Sequence, residues 1–164
     1  FAPVLSESGV LFFLTGYALA NLGAFAAIIA ISNKIGSDEI NDFSGMFKRA
    51  PVLTLALSLS LISLIGMPPA AGFIAKFYIF SGAVHSGLLW LVILAVLNSV
   101  ISAYYYLRVV KVMWFGTPAS EEKVTSSGAL RLAVLISSIG VLVLGVYPQP
   151  VIDLARIAAK MLGF

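Results

Sequence analysis

Residues 8–33, "SGVLFFLTGYALANLGAFAAIIAISN", contain no charged side chain. A helix of about 20 apolar residues crosses the roughly 30 Å of hydrocarbon in a bilayer, and this run is longer than that. Further apolar runs cover 50–84, 87–107 and 132–147. A water-soluble core of this extent needs charged helix faces, and these runs have none. Charged residues make up 10% of the chain and hydrophobic ones 60%, where a soluble domain is about a quarter charged. The expected fold class is an all-α membrane protein with four transmembrane helices, spanning about 9–33, 50–84, 87–114 and 131–147.

Lysine and arginine bias orients these spans. Lys34, Lys48 and Arg49 lie between the first and second, and Arg108, Lys111, Lys123 and Arg131 between the third and fourth. The connection "VHSG" between the second and third has neither residue type. Both basic connections therefore face the cytoplasm and the N-terminal end faces outward. In the tail "VIDLARIAAKMLGF", Asp153, Arg156 and Lys160 fall on one helical stripe. An amphipathic helix over about 150–163, lying along the outer interface, is expected there. The stretch "SDEINDFSGMFKRAP" reads as a short surface helix begun by Ser37, and "GTPASEEKVTSSG" as a polar linker.

Charge and residue content exclude several functions. A net charge of +3 is too small to indicate a nucleic-acid partner. The absence of cysteine removes disulfides, iron–sulfur ligation and thiolate chemistry, and a lone His85 forms no histidine cluster. Any redox reaction in which this chain takes part must happen elsewhere. The opening residue is Phe1, which suggests part of a longer chain.

The second apolar run contains "GMPPAAGFIAKFY", residues 66–78. Residues 50–84 as one helix would extend about 52 Å at 1.5 Å per residue, too long for an upright span. Adjacent Pro68 and Pro69 remove two amide donors and clash with the preceding turn. Gly66 and Gly72 flank them. A discontinuous helix broken at 67–71 is expected. Each carbonyl freed in hydrocarbon costs several kcal/mol unless water or protein satisfies it. Two readings fit the prolines alone: a kink for packing, or a break facing a hydrated cavity.

Lys76 bears on that choice. It lies about 12 Å inside the outer end of the run. A snorkelling lysine is the plain reading. Helical side chains, however, tilt towards the N-terminus of their helix, which here points into the membrane. No acid in the chain lies at comparable depth. A lysine without a counter-ion, able to alternate between charged and neutral states, is a proton carrier. In the third span Asn98, Ser102 and Tyr105 recur at i, i+4 and i+7. That polar stripe fits either a proton path beside Lys76 or interhelical packing.

The segments "TGYALANLGAFAAI", "EINDFSGMFKRAPVLTLALSLSLISLIGMPPAAGFIAKFYIF" and "LAVLNSVISAYYYLRVV" resemble subunit N of respiratory complex I, the proton-translocating NADH–quinone oxidoreductase, within the antiporter-like superfamily. The resemblance is dense from about residue 10 to 115 and thin afterwards. Subunit M typically has glutamate at the position of Lys76. The D subunit of multi-subunit sodium/proton antiporters has a similar proline-then-lysine break and is the alternative.

The resemblance implies a fourteen-helix fold with inverted repeats, of which this chain would be the last part and residues 50–84 the second broken helix. It implies that Lys76 is the family's lysine of that helix, on the outward side of a proton path. The partner glutamate and the other lysines would belong to upstream helices. It further implies a bacterial inner membrane, or an organelle energy-transducing one. The partners would be other membrane subunits of complex I, antiporter-like subunits among them, and the lipid bilayer. NADH, FMN, iron–sulfur clusters and quinone would be bound by other subunits and none by this chain.

Overall fold

A computed structural model of the chain describes the backbone of residues 2–161 and the side chains from Ser8 onward. Residues 162 and 163 of the expected tail helix lie outside it. Seven α-helices account for most of the described residues, which contain no strand: α1 (Ala2–Ile35), α2 (Met46–Arg49), α3 (Pro51–Ile65), α4 (Ala71–His85), α5 (Leu89–Phe115), α6 (Gly128–Val146) and α7 (Gln149–Met161). A 3₁₀ turn over Ile40–Phe43 precedes α2. The stretches Ser8–Ile35, Leu89–Phe115 and Gly128–Val146 are each long and apolar enough to cross a membrane. The remaining span is discontinuous, made of α3 and α4 end to end. The chain is an all-α, multi-pass membrane protein.

Local sequence sets these boundaries. Pro51 opens α3 at the position where a missing amide donor costs nothing. Gly66 ends it in the left-handed region, at φ 91° and ψ 39°. The Ser127 hydroxyl accepts the Leu130 amide at 3.4 Å and begins α6.

α1 is the central helix and packs against α3, α4, α6 and α7. Its inner face is rich in small residues, among them Gly16, Ala20, Gly23, Ala24, Ala27 and Ala30. Small residues let membrane helices approach closely, which is what holds them when lipid supplies no hydrophobic drive. A Cβ at Gly23 would lie 2.7 Å from Ser60 Oγ of α3 and 3.0 Å from Ser137 Cβ of α6, so three helices meet at that glycine. α5 is pinned to α3 near its C-terminal end, where Trp114 Nε1 donates to Ser58 Oγ at 2.9 Å and Phe47 stacks on the indole at 4.2 Å. α7 is amphipathic and buries Ile152, Ala155 and Ala159 against α1. Arg156 and Asp153 pair on its exposed side at 3.3 Å.

Candidate functional site

The site is the gap between α3 and α4, and its construction follows from the backbone groups that a helix end leaves over. The last four carbonyls of an α-helix have no partner within it. At the end of α3 these belong to Ile62, Ser63, Leu64 and Ile65. The first two are taken locally: Met67 N–H donates to Ile62 O at 3.2 Å and Gly66 N–H to Ser63 O at 3.0 Å, the paired bonds of a Schellman turn. The other two are taken by a side chain from the next helix. Lys76 Nζ donates to Leu64 O at 3.1 Å and to Ile65 O at 2.8 Å. All four leftover carbonyls are thereby satisfied.

The third contact of the amine is Ser99 of α5. Lys76 Nζ donates to Ser99 Oγ at 3.0 Å, and Ser99 Oγ donates in turn to Ala95 O at 3.0 Å. An ammonium has three N–H donors, and three acceptors surround this one. No carboxylate is among them. The two ion pairs of the described residues, Lys34–Glu122 and Asp153–Arg156, both lie elsewhere.

The side chain of Lys76 runs back towards the start of α4 and across Gly66. A Cβ on Gly66 would stand 2.8 Å from Lys76 Cδ and 3.3 Å from Cε. Gly66 is thus required twice, for its left-handed φ and for the passage of the lysine. Gly72 has a different reason: its Cβ would collide with the carbonyl oxygen of Ser63. Its N–H donates to Ser63 Oγ at 3.1 Å, which fastens the first turn of α4 to the last turn of α3. Pro68 and Pro69 themselves are exposed, and the Pro69 carbonyl lies against Gly145 of α6, where a Cβ would overlap it.

Two cavities meet at Lys76. One, of about 180 Å³, lies under α1 and is lined by Phe13, Gly16, Tyr17, Ser63, Gly72 and the lysine. The other, of about 310 Å³, opens between α4 and α5 beside Ser99, Gly66, Phe73 and Phe80. The lysine borders both. Each has room for several waters at about 30 Å³ apiece.

The polar stripe of α5 is arranged differently from the lysine's shell. Asn98 and Tyr105 are exposed. Ser102 Oγ donates to Ser99 O at 2.8 Å, within its own helix. Ser99, half-buried and one residue past Asn98, is the α5 side chain that meets Lys76. Its sequence signal is slight, since the same helix carries a second serine, Ser102, on the polar stripe.

Residues 2–102 match the family described as NADH:quinone oxidoreductase/Mrp antiporter, TM. The chain belongs to this family. It is 45% identical over 163 residues to NADH-quinone oxidoreductase subunit N of Dehalococcoides mccartyi, a match covering 98% of the chain and 34% of that relative. A chain of respiratory complex I from Thermus thermophilus superposes with a TM-score of 0.75 and 29% identity, over 90% of this chain and 34% of that one. A chain of the membrane-bound sulfane sulfur reductase, an archaeal respiratory membrane complex, superposes with a TM-score of 0.84 and 33% identity, over 93% of this chain and 31% of that one. The chain spans about a third of the length of the relatives it matches. These two solved structures are multi-subunit membrane complexes.

Proposed function

We propose that the chain is the C-terminal part of a proton-translocating subunit of NADH–quinone oxidoreductase, and that Lys76 carries the proton. The observation that bears most weight is an amine in a broken membrane helix, bordered by two cavities and ringed by three neutral acceptors. A lysine fixed permanently as a cation would call for a carboxylate partner, and none lies beside it among the described residues.

The step balances as a plain proton transfer. The ammonium releases H⁺ to water in one cavity and becomes a neutral amine with two N–H donors and a lone pair. It then takes H⁺ from the other cavity. On deprotonation one of the three contacts must reverse, because the amine has lost a donor and gained an acceptor. The carbonyls of Leu64 and Ile65 can only accept. The Ser99 hydroxyl can turn from Ala95 O and donate to Nζ, so both protonation states keep a satisfied shell. Asn98, Ser102 and Tyr105 would extend this path along α5 where other parts of the protein cover them.

Electron transfer from NADH to quinone, with FMN and iron–sulfur clusters, would take place in other subunits and supply the energy. Other membrane subunits of the complex, antiporter-like ones included, would flank this chain. The test is proton pumping by the whole complex in reconstituted vesicles: Lys76→Met should abolish most of it, and normal pumping in that variant would refute the site. The family description also names the Mrp antiporter. Under that reading the protein would exchange sodium for protons without NADH or quinone, which the same vesicles would register.

A further inference from the structure

Three contacts hold the polar linker between α5 and α6 in place, and a fourth joins the end of α5 to the turn before α2. Val124 N–H donates to Arg49 O at 3.1 Å, and Arg49 Nε donates to Glu122 O at 2.9 Å. Lys34 pairs with the Glu122 carboxylate at 2.6 Å, and Gly45 N–H reaches Val112 O at 3.1 Å. Both basic connections are thereby laid against each other at the cytoplasmic end. Between them lies a groove of about 540 Å³. Its basic side chains are Lys48, Arg49, Lys123 and Arg131, and no acid lines it.

Lys48, Lys123 and Arg131 have no ion-pair partner among the described residues. Gathered around one cavity they repel one another, and an anion would relieve that repulsion. The floor has the opposite chemistry. Val52 and Leu53 from the first turn of α3 and Val134 and Leu135 from α6 line it, with Val52 60% and Leu135 48% exposed. These residues open two membrane-spanning elements, so the groove passes from a basic rim to an aliphatic floor at the level where headgroups give way to acyl chains.

We infer that this groove binds an anionic phospholipid of the cytoplasmic leaflet. Its phosphate would lie among Lys48, Lys123 and Arg131, and the upper acyl carbons along Val52 and Leu135. A free anion would leave the aliphatic floor exposed, and a zwitterionic lipid would leave the cationic rim uncompensated. Basic pockets between membrane helices on the cytoplasmic side hold anionic headgroups for these reasons.

The test uses the whole complex containing this chain, in phosphatidylcholine nanodiscs with a trace of photo-crosslinkable phosphatidylglycerol. Adducts should map to the groove and fall about fivefold for each of Lys48→Gln and Arg131→Gln. Lys111→Gln, on α5 outside the groove, should leave them unchanged. Equal labelling by a phosphatidylcholine probe would overturn the proposal. So would displacement of the lipid probe by inorganic phosphate alone, or an absence of adducts, which would mean that another part of the protein fills the groove. Should the variants fail to assemble, the unaltered complex decides: raising salt must weaken phosphatidylglycerol labelling, and labelling indifferent to salt would refute the assignment.

Discussion

Lys76 Nζ lies 2.8 Å from the carbonyl oxygen of Ile65, so the amine closes the helix that precedes its own. It is at once the cap of α3 and, among the described residues, the only charged group at the break. A proposed proton carrier that is also a structural cap makes simple removal ambiguous, because either loss can silence the protein. The two roles separate through the choice of replacement.

Lys76→Met strips the partners from Leu64 O and Ile65 O, and a buried unsatisfied carbonyl costs about 1–3 kcal/mol. Thermal stability of the complex and pumping should both fall. Lys76→Arg keeps donors for those carbonyls but stays protonated at any workable pH. It should retain near-normal stability and lose most pumping. Vesicles in which the arginine variant pumps at the parental rate would reduce Lys76 to a cap.

Ser99 is the acceptor that can reverse its hydrogen bond, and its loss should show in function more than in stability. Ser99→Ala should slow pumping several-fold while leaving the thermal midpoint within a few degrees. Ser99→Thr retains the hydroxyl and should recover most of the rate. Asn98→Ala, on the neighbouring exposed position, should have the smaller effect of the two alanine variants. A Ser99→Ala complex that pumps like its parent would remove the hydroxyl from the scheme.

Much of this molecule can be read from its residues, and the reasons for the rest are physical. Uncharged runs declare membrane helices because the bilayer admits little else, and adjacent Pro68 and Pro69 in a run too long for one span declare the discontinuity. Lys76 stands out as a charge in an apolar stretch. The shell around it is less legible. Two of its acceptors are backbone carbonyls, which every residue possesses, and their availability depends on which bonds Gly66 and Met67 have already taken. The third is Ser99, one of two serines on α5, selected by the rotation of that helix against α4. Helical spacing identifies the stripe Asn98, Ser102 and Tyr105 but not the direction in which α5 turns it. The basic groove escapes a linear reading altogether, because its rim comes from connections more than seventy residues apart.

The break is held by glycines for which alanine should be a poor substitute. Gly66→Ala must adopt a left-handed φ, which costs about 1–2 kcal/mol, and it also displaces the lysine's Cδ. Gly145→Ala drives a Cβ into the Pro69 carbonyl oxygen, a backbone atom that cannot swing aside. Gly128→Ala meets open space and is the control. The first two should lower the thermal midpoint of the complex, and Gly66→Ala should reduce pumping in addition. If all three behaved like the parent, the close approaches at the break would not be what holds it.

Where the two basic connections meet, the Lys34 ammonium hydrogen-bonds and attracts the Glu122 carboxylate, holding its pKa below the ordinary carboxylate value. A carboxyl whose folded pKa is depressed contributes stability above its unfolded pKa and loses that contribution as pH falls through the folded value. Docking of the linker should therefore be constant from neutrality down to about pH 5 and weaken only below about pH 4. Hydrogen exchange of residues 116–127 in the intact complex reads this directly. Protection should fall in that acid window, and Lys34→Gln should lower it at neutral pH. The loss is expected to be modest, because both side chains are exposed and water screens the pair. Protection that disappears between pH 7 and 6 would assign the docking to some other group.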